Sequence, residues 1–495
     1  MRFSDQLLLL EEKNPLLCFL LRTQKTKKRA KKAYPFPKKD MEVLYIHGLQ
    51  TLSKTFFHWL NKSTLHKIVF LEDKLENAKA FLEKNVKHIL THPQIEIVYL
   101  QNSQDVSYIF KQGQKKPFVL TTNAALERHI YSNTFLFLAY CQDLLEPKYS
   151  YKNFYNNLTY AQSAYSVEAL KQAFKNKPGF LLGSGPTLQT SQLKTMRDKG
   201  LFLGCGSSLK LVPDVDFGLV VDPTERQKQA LKNHHAKKVP LFFTLRSQSD
   251  VVKSFDERIL LHHLNDEKNI QFFEKALGLE DENLIEPLES LYSSVTTVGL
   301  QLLLYLGCNP IILCGVDLAF VGKQFYAKGL QKHTLDPLQD QTVHLAGKVT
   351  TEKWVLEKQV IEEIIEKNPK TTFYRHKPVL PIKGAKKIAL STVEKKYRAM
   401  DKRWKKVALK KQKACTQIKQ KIQKNLKKLQ ALFEKKPHSL MLDLELQTNP
   451  LYTAFFEKPI AYYTFLLTQD GLYDETKKAH IVKRLIKEYS KLSSD

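Results

Sequence analysis

Between Pro178 and Phe320 one pattern recurs: a short apolar run closes on glycine, serine or aspartate, and a further segment leads to the next run. FLL runs into Gly-Ser-Gly-Pro, LFL into Gly-Cys-Gly-Ser-Ser, FGLVV into Asp-Pro, PLFF into Thr-Leu-Arg-Ser, and IILC into Gly-Val-Asp. Short continuous apolar runs read as strands buried on both faces, the habit of parallel sheets covered by helices. The stretch LYSSVTTVGLQLLLYLGC reads as such a helix. The expected fold class is therefore α/β, a Rossmann-like, doubly wound parallel sheet. Ligands of such a sheet lie at the C-terminal ends of its strands.

A smaller α/β region precedes it. MEVLYIHGL reads as a strand ending at Gly48, FFHWLNKS as a helix, KIVFLED as a strand carrying Glu72 and Asp73 at its end, LENAKAFLEKNVKHILTH as helical, and IEIVYLQ as a third strand. Strand, helix, strand in that order predicts parallel pairing. The expected segments are a basic lead over 1–39, an N-terminal α/β domain with a helical connector over 40–176, a central domain over 177–392 and a helical C-terminal domain over 393–495. A chain of 495 residues exceeds what one core usually supports, in keeping with several domains.

Seventy-eight Lys and Arg against 50 Asp and Glu give a net charge of +28, which makes polyanions, nucleic acid or an acidic surface included, electrostatically attractive partners. Lysine is spread over the whole chain and outnumbers arginine, as an A+T-rich coding sequence produces, so the charge does not single out a partner. Between Lys402 and Phe433 no acidic residue occurs, and Ile418, Ile422, Leu426, Leu429 and Phe433 form one apolar stripe on a basic helix. Such a stripe docks on its own protein, on a partner helix, on an anionic membrane surface or beside nucleic acid. Six cysteines stand far apart without a CxxC pair, which predicts a reducing compartment and no zinc finger. Charged residues Glu11 to Lys13 split the apolar start into runs shorter than the about 18 residues of a membrane span, so the expectation is a cytoplasmic protein without a transmembrane segment.

The turn Gly183-Ser184-Gly185-Pro186-Thr187 is the sharpest local signal. Two glycines permit tight backbone, Ser184 and Thr187 offer hydroxyls, and Pro186 suits the first turn of a helix whose N-terminus would face a phosphate. The turn lacks the Gly-Lys-Ser/Thr end of a Walker loop and the full GxGxxG spacing. A ligand-free strand-to-helix turn has the same residues, and an aspartate after a strand, such as Asp222 or Asp317, commonly caps its own loop. Convergence of Ser207, Asp222 and Asp317 with the glycine turn at successive strand ends favours a ligand.

Here a resemblance enters. LLGSGPTL, PDVDFGLVVDP, SSVTTVGLQLLLYLGCNPIILCGVDLAF and the Gly-Ala of PIKGAKK, spanning Pro178 to Leu390, resemble the central domain of the motility-associated factors, itself similar to 6-hydroxymethylpterin diphosphokinase and to bacterial sialyltransferases. YIHGL followed by IVFLED is similar to the N-terminal module of that family, with a degenerate glycine-rich loop. The resemblance implies a glycosyltransferase moving a nonulosonic, sialic-acid-like sugar from a CMP-activated donor to Ser or Thr of an acceptor protein, flagellin. It implies that Gly183, Ser184, Gly185, Pro186 and Thr187 face the nucleotide with Ser207 and Asp222 beside them. Ser293, Ser294 and Thr296 would hold the donor phosphate or carboxylate, and Tyr326 the leaving phosphate.

Transfer requires a base within hydrogen-bond reach of the acceptor hydroxyl. Asp317 is the first candidate, and His333 and His344 follow, since imidazole titrates nearest neutral pH. Many family members carry Asp-Gly-x-x-His-Ala after this strand, whereas VGKQFYAKG here has Phe325 and Tyr326. No Asp-x-Asp pair appears where a metal-dependent glycosyltransferase would hold a nucleotide diphosphate, so a metal-free mechanism is expected, and no cofactor besides the CMP-sugar substrate. Two other readings stay open: a pyrophosphokinase acting on a hydroxymethylpterin, which would need Mg²⁺, and a non-catalytic polyanion- or protein-binding protein of the same fold.

Overall fold

The computed structural model describes residues 3–23, 34–37, 41–84, 86–101, 107–112, 115–145, 147–261, 294–330, 342–403, 412–435, 446, 448–469 and 475–493. The chain divides into two compact units, one within Met1–Tyr140 and the other within Cys141–Asp336 and Asp340–Asp495.

The first unit is built on four parallel strands, β1 (Val43–His47), β2 (Lys67–Glu72), β3 (Ile95–Tyr99) and β4 (Pro117–Leu120), in the order β3-β2-β1-β4. Side chains alternate across the sheet. Leu44, Ile46, Ile68 and Phe70 go to one core with the helices Lys54–Leu60 and Leu75–Leu82, while Val43, Tyr45, Val69 and Leu71 meet Tyr108, Ile109, Leu126 and Ile130 on the other side. The basic lead is partly absorbed into this unit. Helices Phe3–Lys13 and Pro15–Thr23 bury Leu7, Leu10, Leu17 and Leu21 in the first of those cores, because each has an apolar stripe that must be covered. β4 is a strand the sequence reading stopped short of, since PFVL is only four residues long.

The second unit carries nine strands. They are β5 (Tyr165–Ser166), β6 (Gly179–Leu182), β7 (Leu201–Cys205), β8 (Phe217–Val220), β9 (Leu241–Phe243), β10 (Arg258–Leu260), β11 (Ile311–Cys314), β14 (Phe373–His376) and β15 (Lys386–Lys387). A separate antiparallel hairpin consists of β12 (Thr342–Leu345) and β13 (Lys348–Thr351). The sheet order is β15-β14-β11-β6-β7-β8-β9-β10-β5, and every pair is parallel. From β6 the chain builds outward through β7 to β10, then returns to the other side of β6 with β11, β14 and β15. The boundary between β6 and β11 is thus the point where strand order reverses, the place where an open α/β sheet opens a crevice.

Helices cover both faces. Leu181, Leu203, Leu219 and Leu313 pack with the helices Val295–Tyr305 and Glu352–Lys367, through Leu302, Val360 and Ile364. Phe180, Phe202, Phe243 and Ile312 belong to the opposite core, which also takes in Tyr151 and Phe154 of helix Pro147–Ala161. Ile418, Ile422, Leu426 and Leu429 of helix Gln412–Lys435 share that core with Tyr489 of helix Glu475–Leu492. The C-terminal helices, read from the sequence as a separate segment from 393, therefore join the same core as the nine-stranded sheet, and helix Pro147–Ala161, read as a connector, is part of it too. Composition marked the change in helix character; only packing shows what the stripe covers. The side chain of Phe433 lies outside the described residues. No helix among the described residues is long and apolar enough to cross a membrane.

Candidate functional site

The glycine turn after β6 differs from the sequence expectation in one respect. Helix Thr190–Lys194 starts only after Gln189, so Pro186 does not occupy a first helical turn. Instead Leu188 N–H closes a turn onto Gly185 O at 3.1 Å, and Gly185 N–H donates to Gly315 O at 2.8 Å. The short apolar strand ran straight into Pro186 in sequence, but the chain first bonds across to the end of β11. Gly183 and Gly185 are required by this approach: a Cβ on Gly183 would stand 2.5 Å from Gly315 O, and one on Gly185 2.7 Å from the same oxygen.

A cavity of about 410 Å³ opens above these strand ends. Gly183, Ser184 and Gly185 line it from β6, Gly206 and Ser207 from β7, Asp222 from β8, Thr244 and Arg246 from beyond β9, and Gly315 to Ala319 from β11. The helix start at Ser294, Val295 and Thr296 adds a wall, and Lys353, Trp354 and Glu357 add another from helix Glu352–Lys367. Phe325 and Tyr326 reach it from a loop held by Ala327 N–H donating to Ser184 O at 2.9 Å. Beyond β11 the backbone is held in uncommon conformations, with φ of +65° at Gly315 and +53° at Leu318. A bulky residue in the left-handed region persists only where its surroundings enforce it. They do so here: Thr350 Oγ1 donates to Leu318 O at 2.6 Å, and Phe320 N–H donates to Val349 O at 2.9 Å, pinning the β12–β13 hairpin to this segment.

Asp317 is buried at the switch point, and both its oxygens are engaged by one residue. Thr187 N–H donates to Oδ2 at 2.8 Å, and Thr187 Oγ1 donates to Oδ1. Burial raises its affinity for a proton, and the two bonds from Thr187 oppose that. The carboxylate thus fastens the glycine turn to β11. Pro186 and Thr187 stand outside the cavity wall, and Thr187 influences it through Asp317. Asp222 caps its own loop, Oδ1 accepting from Thr224 N–H at 2.8 Å, while its residue lines the cavity.

Ser294 is the N-cap of helix Val295–Tyr305 and forms a capping box with Thr297. Its hydroxyl donates to Glu357 Oε1 at 2.8 Å, and Thr296 also hydrogen-bonds Glu357. These two hydroxyls, expected to meet the donor's anionic groups, are directed onto a carboxylate of the protein itself. Burial pushes Glu357 above the usual carboxyl range, opposed by Ser294, Lys353 and Thr296, and the same carboxylate adds to the rise of the buried Cys205 thiol. Tyr326 lines the cavity. His344 lies exposed on β12 and is not part of the wall. Ser293 and His333 lie outside the described residues.

Sequence reasoning missed Arg246, Lys353, Trp354 and Glu357. A signal for Glu357 existed: in TEKWVLEKQVIEEIIEK it falls three and four residues before Val360 and Ile361, on the stripe that faces the core. An acid on an apolar stripe is the kind of buried polar residue that needs an explanation.

No curated protein matches the chain. Among solved structures, the MAf glycosyltransferase from Magnetospirillum magneticum AMB-1 is similar at 13% identity and a TM-score of 0.46, covering 100% of this chain and 83% of that one. Residues 152–323 match the family model described as 6-hydroxymethylpterin diphosphokinase MptE-like, so the segment that supplies β6 to β9, β11 and the glycine turn carries an MptE-like domain.

Proposed function

We propose that this protein is a glycosyltransferase moving a nonulosonic sugar from a CMP-activated donor to a Ser or Thr hydroxyl of an acceptor protein, with flagellin the acceptor implied by the resemblance. The observation that carries the reading is the cavity at the β6/β11 switch point, where glycine backbone, hydroxyls and two cations converge. A CMP-activated nonulosonic acid bears one phosphodiester charge and one carboxylate, and Arg246 and Lys353 offer a cation for each. Gly183, Ser184, Gly185 and Ser207 face the nucleotide in this reading, with Asp222 beside them. The acceptor oxygen attacks the anomeric carbon, the bond from that carbon to the phosphate oxygen breaks, and its electron pair leaves with CMP. Tyr326 hydroxyl stabilises the departing phosphate, and Asp317 takes the acceptor proton on a lone pair not used by Thr187. A monophosphate leaving group needs no metal clamp.

The description of the matched family favours one second reading, pyrophosphate transfer from ATP to a hydroxymethylpterin. Asp222 and Asp317 are the carboxylates at hand for the Mg²⁺ it would need, and both already accept backbone N–H bonds. Calorimetry with CMP, UMP and ATP, with and without Mg²⁺, together with release of CMP from CMP-N-acetylneuraminate, separates the two. Metal-independent CMP binding and release support the transferase; binding only of ATP with Mg²⁺ sinks it.

A further inference from the structure

Glu72, Asp317 and Glu357 are buried carboxylates at strand ends or beside the cavity, and they differ in what they hold. Glu72 accepts backbone N–H groups of Leu49, Asp73 and Lys74, and Asp317 accepts that of Thr187. Each offsets the cost of burying a charge by organising the chain around it. Glu357, 5% exposed, holds no backbone: its hydrogen bonds among the described residues come from the hydroxyls of Ser294 and Thr296. Its two hydroxyl partners stand at the start of helix Val295–Tyr305, and Glu357 itself lines the cavity.

What it faces follows from its neighbours. A carboxylate repels phosphate, so a nucleotide's anionic end belongs at the glycine turn and cations rather than against Glu357. Trp354, on the same helix, lines the cavity with it, and the rings of Phe320 and Phe325 lie 5.5 and 6.3 Å from that indole. Flat aromatic surface beside a carboxyl group suits a flat heterocycle with N–H groups on its edge.

We infer that Glu357 recognises the amino-substituted pyrimidine edge of the ligand, and so selects cytosine over uracil in the nucleotide. This rests on the transferase reading. Cytosine presents an exocyclic amine beside a ring nitrogen acceptor, and a carboxyl group meets the amine with an oxygen. Uracil places a carbonyl at that position, which leaves two acceptors opposed. The pterin of the second reading carries a 2-amino group beside a ring N–H, a related edge that an ionised carboxylate would meet with both oxygens. Lys353, Trp354 and Glu357 lie beyond the residues 152–323 matched by the family model, so the assignment concerns this chain's own helix.

The test is calorimetric binding of CMP, UMP and 6-hydroxymethylpterin to the full-length protein and to Glu357→Met, Glu357→Gln and Glu357→Asp. One good pair of base-edge hydrogen bonds discriminates by roughly 1–3 kcal/mol, so the wild type should prefer CMP over UMP by about tenfold. Methionine keeps the volume and removes both polar atoms, and should bring the ratio to near unity; glutamine, whose amide turns to meet either base edge, should also lower it. Should the methionine variant not fold, the shorter Glu357→Asp must lower the ratio. CMP bound with an unchanged ratio in the methionine variant, or in the aspartate variant, overturns the role of Glu357 and leaves the transferase standing. Glu357-dependent binding of the pterin without CMP overturns the transferase and keeps the amino-pyrimidine role. Absence of binding by all three probes overturns both.

Discussion

At the end of β2 in the first unit, Glu72 is fully buried and its carboxylate fills the space beside the β1 strand end. Oε2 accepts Leu49 N–H at 2.8 Å, and Oε1 accepts from Asp73 and Lys74 N–H and from Asn77 Nδ2 at 3.0 to 3.2 Å. His47, at the end of β1, is held between Thr121 Oγ1 at 3.0 Å and Asp73 Oδ2 at 3.4 Å. At the switch point of the second unit, the carboxylate of Asp317 accepts, among the described residues, from Thr187 alone, and the glycine turn, Gly206 and the helix start at Ser294 surround open space. Both sheets are parallel with a reversal of strand order, yet in the first the N–H groups that a phosphate would use are taken by the protein's own anion. Parallel topology provides a crevice; whether it holds a ligand depends on which side chains already occupy it.

The comparison can be broken most forcefully at Glu72. Glu72→Ala leaves the buried N–H of Leu49 and the buried amide of Asn77 without their shared partner, and should destabilise the first unit by about 3 kcal/mol. Hydrogen exchange of the β1 to β3 peptides measures it, and unchanged protection would show that Glu72 is no more than a filler. Nucleotide binding in the second unit should stay as it was.

Ile422→Ala should cost a similar or slightly smaller amount, about 2–3 kcal/mol, because Ile422 is fully buried in the core shared with the nine-stranded sheet. If the C-terminal helices are part of that unit, exchange in β6 and β7 rises together with exchange in helix Gln412–Lys435. Loosening confined to the helix would restore the separate C-terminal domain.

Asp317→Asn should act on the site more than on the fold. An amide facing Thr187 loses one of the two bonds that fasten the glycine turn, and CMP affinity should fall about tenfold, or about 1.4 kcal/mol. Wild-type affinity in this variant would separate the turn from ligand binding. If Asp317 is the base of the transfer, release of CMP falls further than binding does.

The smallest expected effect is a pH dependence. Burial holds Glu357 and Asp317 above their ordinary values of 4.5 and 3.8. A raised folded value means that the folded state keeps the proton more tightly than the unfolded chain. The stabilising contribution is therefore complete below the ordinary values and is lost as pH rises through the folded ones. Denaturation of the second unit should show stability declining upward from that range, with a shallower decline in Glu357→Met. An identical slope in variant and wild type would mean that Glu357 titrates normally.

Much of this architecture was legible. Apolar runs such as FLL, LFL and IILC closing on Gly, Ser and Asp announced parallel strands buried on both faces, because a sheet covered by helices has no solvated side to leave a polar alternation. The same runs placed Gly183, Ser184, Gly185, Ser207, Asp222 and Asp317 at strand ends. β5, β10 and β15 were not legible, being two or three residues long and defined by their neighbours' hydrogen bonds rather than by a pattern of their own.

The chain's sequence by itself determined the apolar strands such as β6, β7 and β11, the glycine positions and the amphipathic character of the C-terminal helices, since these depend on residues close together along the backbone. Tertiary structure alone decided that Thr187 bonds Asp317, that Glu72 fills one crevice while another stays open, and that Ser294 turns to Glu357. These pairs lie 130, 23 and 63 residues apart for Thr187–Asp317, Leu49–Glu72 and Ser294–Glu357. A hydrogen bond is satisfied only by the partner that packing brings within about 3 Å, and local sequence does not specify that partner.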